Sequence, residues 1–253
     1  MGKLIKYEFR KQLLSKIVVL ALVAVLELLF VAGLIFDKGD WTGLGAGFLL
    51  LVAFVSLFFF SFESIITYSN DLRTKQSYML FLTPRNMYQI VGAKMITTVL
   101  QILGFGIVFA LIFTGDVFLV CWKNGEIKEL IEGIGEFFRM LTGVEIRLGE
   151  IVYVVAMLLV SWLEFVLMAI FAITLSTTLF ANKKWKGVVS VAIYFALEWI
   201  IGKLAGLVMK SGFMADGYLV VNTEAWAYIG VYAAVMVACF FGTALLLEKK
   251  VSV

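Results

Sequence analysis

Apolar positions fall into six long runs, residues 17–36, 46–67, 95–122, 151–180, 187–208 and 225–247. Each reaches the roughly 20 residues that a helix needs to cross a hydrocarbon layer. Polar connectors separate them, and the pattern predicts an all-α polytopic membrane protein with six transmembrane helices. Ahead of the first run, residues 2–15 alternate apolar and basic. Ile5, Phe9 and Leu13 share one helical face and Lys3, Lys6 and Arg10 another. This spacing predicts an interfacial helix lying on an anionic leaflet, or else a basic flank that fixes topology.

Two connectors carry periodicity of their own. In residues 123–150, Ile127, Leu130, Ile131, Ile134, Phe137, Phe138 and Leu141 follow helical spacing, while Glu126, Glu129, Glu132 and Glu136 take the opposite side. The expectation is an outer amphipathic helix. In residues 68–94, Leu72, Tyr78, Met79, Leu80 and Leu82 alternate with polar residues, which suggests a short amphipathic helix at the membrane face. Thr83 followed by Pro84, the sole proline, reads as a helix start. Glycines crowd the start of the second run, and Gly43 and Gly47 have the GxxxG spacing of close helix contacts. Neither a soluble domain, a linker nor an internal repeat is visible, so residues 1–253 read as a single transmembrane domain. The first run meets Asp37-Lys38-Gly39-Asp40 with no small-residue cleavage site, so it is expected to stay attached.

Composition agrees with the pattern: 62% of the 253 residues are hydrophobic and 15% charged, with a mean hydropathy of +1.02. The placement of the 21 basic residues sets the orientation. One set of alternate segments holds Lys3, Lys6, Arg10, Lys11, Lys16, Arg73, Lys75, Arg85, Lys94, Lys183, Lys184, Lys186, Lys249 and Lys250. The other holds only Lys38, Lys123, Lys128, Arg139, Arg147 and Lys210, with Lys203 inside a run. Both termini and the 68–94 connector are therefore expected in the cytoplasm. Trp41, Trp122, Trp185 and Trp226 stand at the boundaries that indole rings favour.

Histidine is absent, which excludes Ser-His and Cys-His catalysis, HExxH zinc sites and histidine-ligated haem. Cys121 and Cys239 fall at different depths and read as small apolar fillers rather than a disulfide or metal pair. No G-x-x-x-x-G-K-[ST] occurs, so the chain has no ATP site of its own. Glu27, Glu164 and Glu198 lie near mid-run, where an ionisable group costs on the order of 3 kcal/mol and faces a bundle interior or wet cavity. Helix packing and a functional pathway both fit them. Lys203, about 140° around the helix from Glu198, cannot pair with it; it snorkels outward or meets a carboxylate on another span. Glu63, near the inner boundary, is expected to pair with Arg73 or Lys75. The rings Phe54, Phe58, Phe59, Phe60 and Phe62 read first as lipid-facing bulk.

Lys6-Tyr7-Glu8-Phe9-Arg10-Lys11, Leu80-Phe81-Leu82-Thr83-Pro84-Arg85 and Ile90-Val91-Gly92-Ala93-Lys94, set in six spans with cytoplasmic ends, resemble the permease subunits of exporter-type ATP-binding-cassette transporters. The layout matches over the whole chain and the motifs as far as Lys94. The resemblance implies a basic helix before the first span and a cytoplasmic coupling helix between spans two and three. That helix docks on the ATPase, which places Asp71, Arg73, Lys75, Tyr78, Met79, Leu80 and Phe81 at the contact. It also implies that spans two and five line the pathway, so that Phe58, Phe62, Tyr194, Glu198 and Trp199, beside Glu27, Glu164 and Lys203, become candidates to meet cargo. The implied partners are a cytoplasmic ATP-binding-cassette ATPase, a second permease copy or paralogue, and the bilayer of a bacterial cell membrane; no nucleic acid is expected. ATP and Mg belong to the partner, and this chain is expected to hold no cofactor or metal. Cargo is expected to be hydrophobic or amphipathic, a peptide or toxin first and a drug second. The family does not fix it, and the long outer segment here lies between spans three and four rather than five and six. Two rivals remain: a proton-coupled secondary transporter using the mid-span glutamates, weakened by the shortage of proline, and an intramembrane enzyme or assembly factor, weakened by the lack of histidine.

Overall fold

The computed structural model describes residues 1–73, 86–125, 148–179, 185–208, 214–215, 218–219 and 223–251. Seven helices follow one another among them: α1 Gly2–Lys11, α2 Leu13–Ile35, α3 Gly39–Arg73, α4 Met87–Asn124, α5 Leu148–Leu179, α6 Lys186–Val208 and α7 Thr223–Val251. A two-residue antiparallel pairing, β1 Met214–Ala215 with β2 Tyr218–Leu219, lies between α6 and α7. Six of the helices, α2 to α7, are long and apolar enough to cross a membrane. Large apolar side chains such as Leu14, Val18, Val25, Leu28, Phe54, Leu111, Phe195 and Leu207 stand exposed along them, a surface that water would not tolerate and lipid does. The chain is an all-α, multi-pass membrane protein. Its spans follow the expected order, with the second and third longer than the apolar runs alone.

The expected single transmembrane domain groups into two compact units, Met1–Ile66 with Gly92–Ile127, and Thr67–Val91 with Lys128–Val253. The first unit holds α1, α2, most of α3 and most of α4. On α2, Val19, Val23, Leu26 and Phe30 recur at the spacing that places them on one face. They pack with Ala46, Leu49 and Val52 of α3 and Phe109, Ile112 and Val120 of α4. The turn between α2 and α3 is a Schellman stop. Lys38 N–H donates to Gly33 O at 3.0 Å, and Asp37 takes the left-handed conformation at φ 55°. The Lys123 ammonium donates to Leu34 O and to the Asp37 carboxylate beside it, placing a cation against the carbonyl end of α2. Beyond the turn the two helices come very close. A Cβ on Gly33 would meet Thr42 N at 2.5 Å, and one on Gly45 would meet Phe30 Cα at 2.8 Å. Gly43 and Gly47, whose GxxxG spacing is weak evidence for a contact in so glycine-rich a stretch, have open space.

The second unit is built on α5, α6 and α7. Along α5, Val166, Leu167, Met168, Ile170, Ala172, Ile173 and Thr174 are buried on every side, the mark of a central helix. Tyr153 meets Trp226 near the start of both α5 and α7, and Phe171 meets Gly242 further along, so these two helices run side by side in the same direction. Met87, Ile90 and Val91 pack on Leu247, with Leu72 and Phe240 against them.

Candidate functional site

Three polar constellations interrupt the apolar packing. The first lies where α1, α2, α3 and α4 of the first unit meet. Gln12 breaks the helix between α1 and α2, with φ −107° and ψ 11°, and its side chain is buried with Glu8 and Lys16. The Lys94 ammonium donates to Glu8 Oε1 at 2.8 Å, both side chains almost fully enclosed, at 7% and 5% exposure. Gln101 Nε2 donates to Gln12 Oε1 at 2.7 Å. Lys16 donates to Gln12 O at 3.0 Å and to Glu63 Oε2 at 3.1 Å, and Ser15 Oγ donates to the other oxygen of that carboxylate. Lys16 also stands 5.2 Å from the centre of the Phe60 ring, a cation–π contact. Thr98 Oγ1 completes the set by donating to Ser64 Oγ at 3.1 Å.

This network corrects the expectation for Glu63. Among the described residues its partners are Lys16 and Ser15 of α2; Lys75 lies outside them. Arg73 lies ten residues further on the same continuous helix, about 15 Å along the axis, whereas side chains within one helix meet at spacings of three or four. Glu8 and Lys94 enter the sequence reading only through the resemblance and the placement of basic residues, and Gln12 and Gln101 do not enter it. Lys94, Thr97, Thr98 and Gln101 do follow helical spacing, and that buried polar stripe was the available signal. Phe60 departs from the lipid-facing reading: it is 0% exposed, its ring 4.3 Å from that of Phe105. Phe58 and Phe62 are exposed as expected.

The second constellation is a pair of carboxyls deep in the first unit. Glu27 of α2 and Asp116 of α4 lie within interacting distance of each other. One oxygen of each, Glu27 Oε2 and Asp116 Oδ1, is buried with no hydrogen-bond partner. Asp116 was overlooked in the sequence, although a carboxylate in the middle of an apolar run is itself the signal. The stripe that packs α4 against α2, at Phe109, Ile112 and Val120, also positions Asp116.

The third lies within the α5–α6–α7 bundle and gathers three of the sequence-derived candidates. Tyr194 OH donates to Glu198 Oε1 at 2.6 Å, one turn apart on α6. Glu164 of α5 lies within electrostatic reach of Glu198. It is 3% exposed, and its Oε1 has no hydrogen-bond partner. From α7, Tyr232 and Cys239 lie within electrostatic reach of both carboxyls, and Tyr228 OH donates to Tyr232 OH at 3.1 Å. The Tyr194 ring stands edge-on to Phe165 at 5.8 Å and to Phe195 at 5.5 Å. Nearer the start of α5, fully buried Tyr153 has a hydroxyl without a partner and its ring edge-on to Trp226 at 5.5 Å.

The other candidates fall elsewhere. Trp199 and Lys203 are both exposed, with the ammonium 5.9 Å from the indole centre, so Lys203 neutralises neither carboxyl from within its helix. Asp71 does not start a separate helix. It belongs to the last turn of α3, where it is buried near Tyr68, whose hydroxyl bonds that of Thr174. Arg73 ends α3. Lys75, Tyr78, Met79, Leu80 and Phe81, the Thr83–Pro84 helix start and the 126–141 amphipathic helix lie outside the described residues. The helix after the connector begins at Met87, its first turn closing on Asn86 O. Both cysteines are free and buried, and no group of three potential metal ligands occurs among the described residues.

Chemically, the third constellation offers two carboxyls and several phenols and no nucleophile–base pair, an arrangement suited to holding a cation or a proton. Comparison with protein families, with known proteins and with solved structures finds no match for this chain.

Proposed function

We propose that the chain is the membrane-spanning permease subunit of an ATP-driven exporter, working beside a second permease and a separate cytoplasmic ATPase that holds ATP and Mg. The observation that carries this reading is the bracing of α1 against α4 by the buried Glu8–Lys94 pair. An amphipathic helix that merely fixed topology has no need of a desolvated ion pair, which contributes little net stability and much positional definition. Lys3, Lys6 and Arg10 remain exposed on the outer face of α1. A soluble subunit pressing on this face would shift α1, α2 and α4 of the first unit as one body. That is the rigid-element coupling an alternating-access exporter requires. Cargo is hydrophobic or amphipathic, in keeping with a pathway among aromatic rings.

A second reading, a proton-coupled secondary transporter, is favoured by the unpartnered carboxyl oxygens of Glu27, Asp116 and Glu164. Purification from native membranes without crosslinking separates the two. The exporter reading expects a soluble ATPase of single-domain size to accompany the chain, and uptake into inverted vesicles that needs ATP. Transport that persists without ATP and collapses with the proton gradient would overturn it in favour of the second.

A further inference from the structure

We propose that Glu164, Glu198, Tyr194 and Tyr232 form a binding site for a hydrophobic organic cation within the α5–α6–α7 bundle. Counting charge helix by helix leads there. The α5 sequence contains no lysine or arginine at all. On α6, Lys186 lies twelve residues from Glu198, about 18 Å along the axis, and Lys203 stands over the exposed Trp199 ring. On α7, Lys249 and Lys250 lie ten residues or more beyond Cys239, about 15 Å away. Two carboxyls therefore sit at mid-bundle with no basic side chain of their own three helices beside them. Isolated ionised groups at that depth cost on the order of 3 kcal/mol each, and nearly all such groups pair with something. Glu198 has the Tyr194 hydroxyl. Glu164, almost fully enclosed, leaves Oε1 unpartnered and close to Glu198. That is an acceptor prepared for a group that none of these three helices supplies.

The surroundings select the kind of cation. Calcium-like or magnesium-like ions take six or more oxygen ligands, and this site offers two carboxyls and a few phenols among Phe165, Phe195 and the Cys239 thiol. Aromatic rings beside a carboxylate suit a diffuse cation carried on an apolar body, through charge and ring-face attraction together. The half-buried side of α6 gives such a molecule access from the lipid.

This names a cargo class for the exporter and rests on that reading only for its role in transport, since binding is a property of the chain by itself. The test is equilibrium binding of radiolabelled tetraphenylphosphonium to the purified chain in neutral detergent. Tetraphenylborate, of the same shape and opposite charge, is the control. Saturable tetraphenylphosphonium binding is expected, weakened at least tenfold by Glu164→Gln and by Glu198→Gln, less by Tyr194→Phe, and unaffected by the exposed Glu248→Gln. Both glutamine variants keep the shape of the side chain, and Glu198 is only half-buried, so a folded variant is available even if Glu164→Gln misfolds. No saturable binding, equal binding of tetraphenylborate, or undiminished binding by a folded Glu198→Gln chain would overturn the proposal. Cation binding by a chain that proves to have no ATPase partner keeps this site and sinks the exporter. ATP-driven export of an uncharged cargo, indifferent to Glu164→Gln in a chain that does not bind tetraphenylphosphonium, does the reverse.

Discussion

The Glu8–Lys94 pair makes a quantitative prediction about the first unit. Both side chains are enclosed, with 2.8 Å between Nζ and Oε1. Removing one partner leaves the other charge in a medium that cannot solvate it, a loss of about 3–5 kcal/mol, whereas an exposed pair would lose at most about 1 kcal/mol. For a chain of this size each kcal/mol corresponds to roughly 2–4 °C in the unfolding midpoint. Glu8→Ala and Lys94→Ala should therefore each lower the midpoint by about 6–20 °C. Glu8→Leu combined with Lys94→Met removes both charges and keeps the volume, and such replacements are neutral or stabilising. The double variant should recover most of the loss, a coupling of several kcal/mol. Unfolding in detergent can be followed by a maleimide dye that reacts as the buried thiols of Cys121 and Cys239 become accessible. Single variants within about 2 °C of the wild type would refute the buried-brace account. So would a double variant whose loss is the sum of the singles.

Other predictions probe separate links. Gly45→Ala drives a Cβ to 2.8 Å from Phe30 Cα and should destabilise by about 1–3 kcal/mol, while Gly43→Ala and Gly47→Ala, with open space, should leave the same dye midpoint unchanged. Ser77→Cys should resist an impermeant thiol reagent in intact cells and a cysteine at Gly133 should react; the opposite pattern would invert the orientation and remove the docking side from the cytoplasm. Tyr78→Ala with Phe81→Ala should abolish ATPase co-purification and export, since buried aromatic anchors dominate such contacts, and Arg73→Ala should be mild; a tolerated aromatic pair would leave the connector no coupling role.

The six spans were legible because bilayer thickness fixes a length and a composition, and both survive in a one-dimensional pattern. What the pattern does not carry is which face of each helix meets which other. Phe60 is indistinguishable in sequence from Phe58, Phe59 and Phe62, yet it alone among them is fully enclosed, because the 3.6-residue period turns it toward Phe105. Glu63 was paired by proximity along the chain, and the structure pairs it across 47 residues with Lys16. Gly43 and Gly47 had the motif and Gly45 has the contact, since a GxxxG spacing marks a stripe without naming the helix that covers it. In the bundle of α5, α6 and α7 the sequence did better. Glu164 and Glu198 were singled out by the cost of ionisable groups at mid-span, and Tyr194 only by the resemblance, which places the fifth span along the pathway. Tyr232 and Cys239 joined only through the third dimension.

Two of the three polar constellations differ in a way that bears on what each does. At the α1 end of the first unit, Glu8 and Glu63 are matched by Lys94 and Lys16, each acid in contact with its base. Such a set is electrically complete: it fixes the positions of α1, α2, α3 and α4, and any ligand would have to displace a partner to enter. Among the described residues, the α5–α6–α7 cluster has two acids and no base on its own three helices near them, and on the proposed reading a bound cation completes it. Evolution toward a stable bundle alone removes such a deficit easily, by one glutamine or leucine at position 164 or 198, at a gain on insertion of about 3 kcal/mol per charge. Two carboxyls at that cost, one of them held by the Tyr194 hydroxyl, make sense where the missing charge is brought by what the protein binds. On the proposed reading the brace belongs to the machinery that transmits motion and the incomplete cluster to the cargo, so charge-neutral replacement should be tolerated in stability at the first and disable recognition at the second.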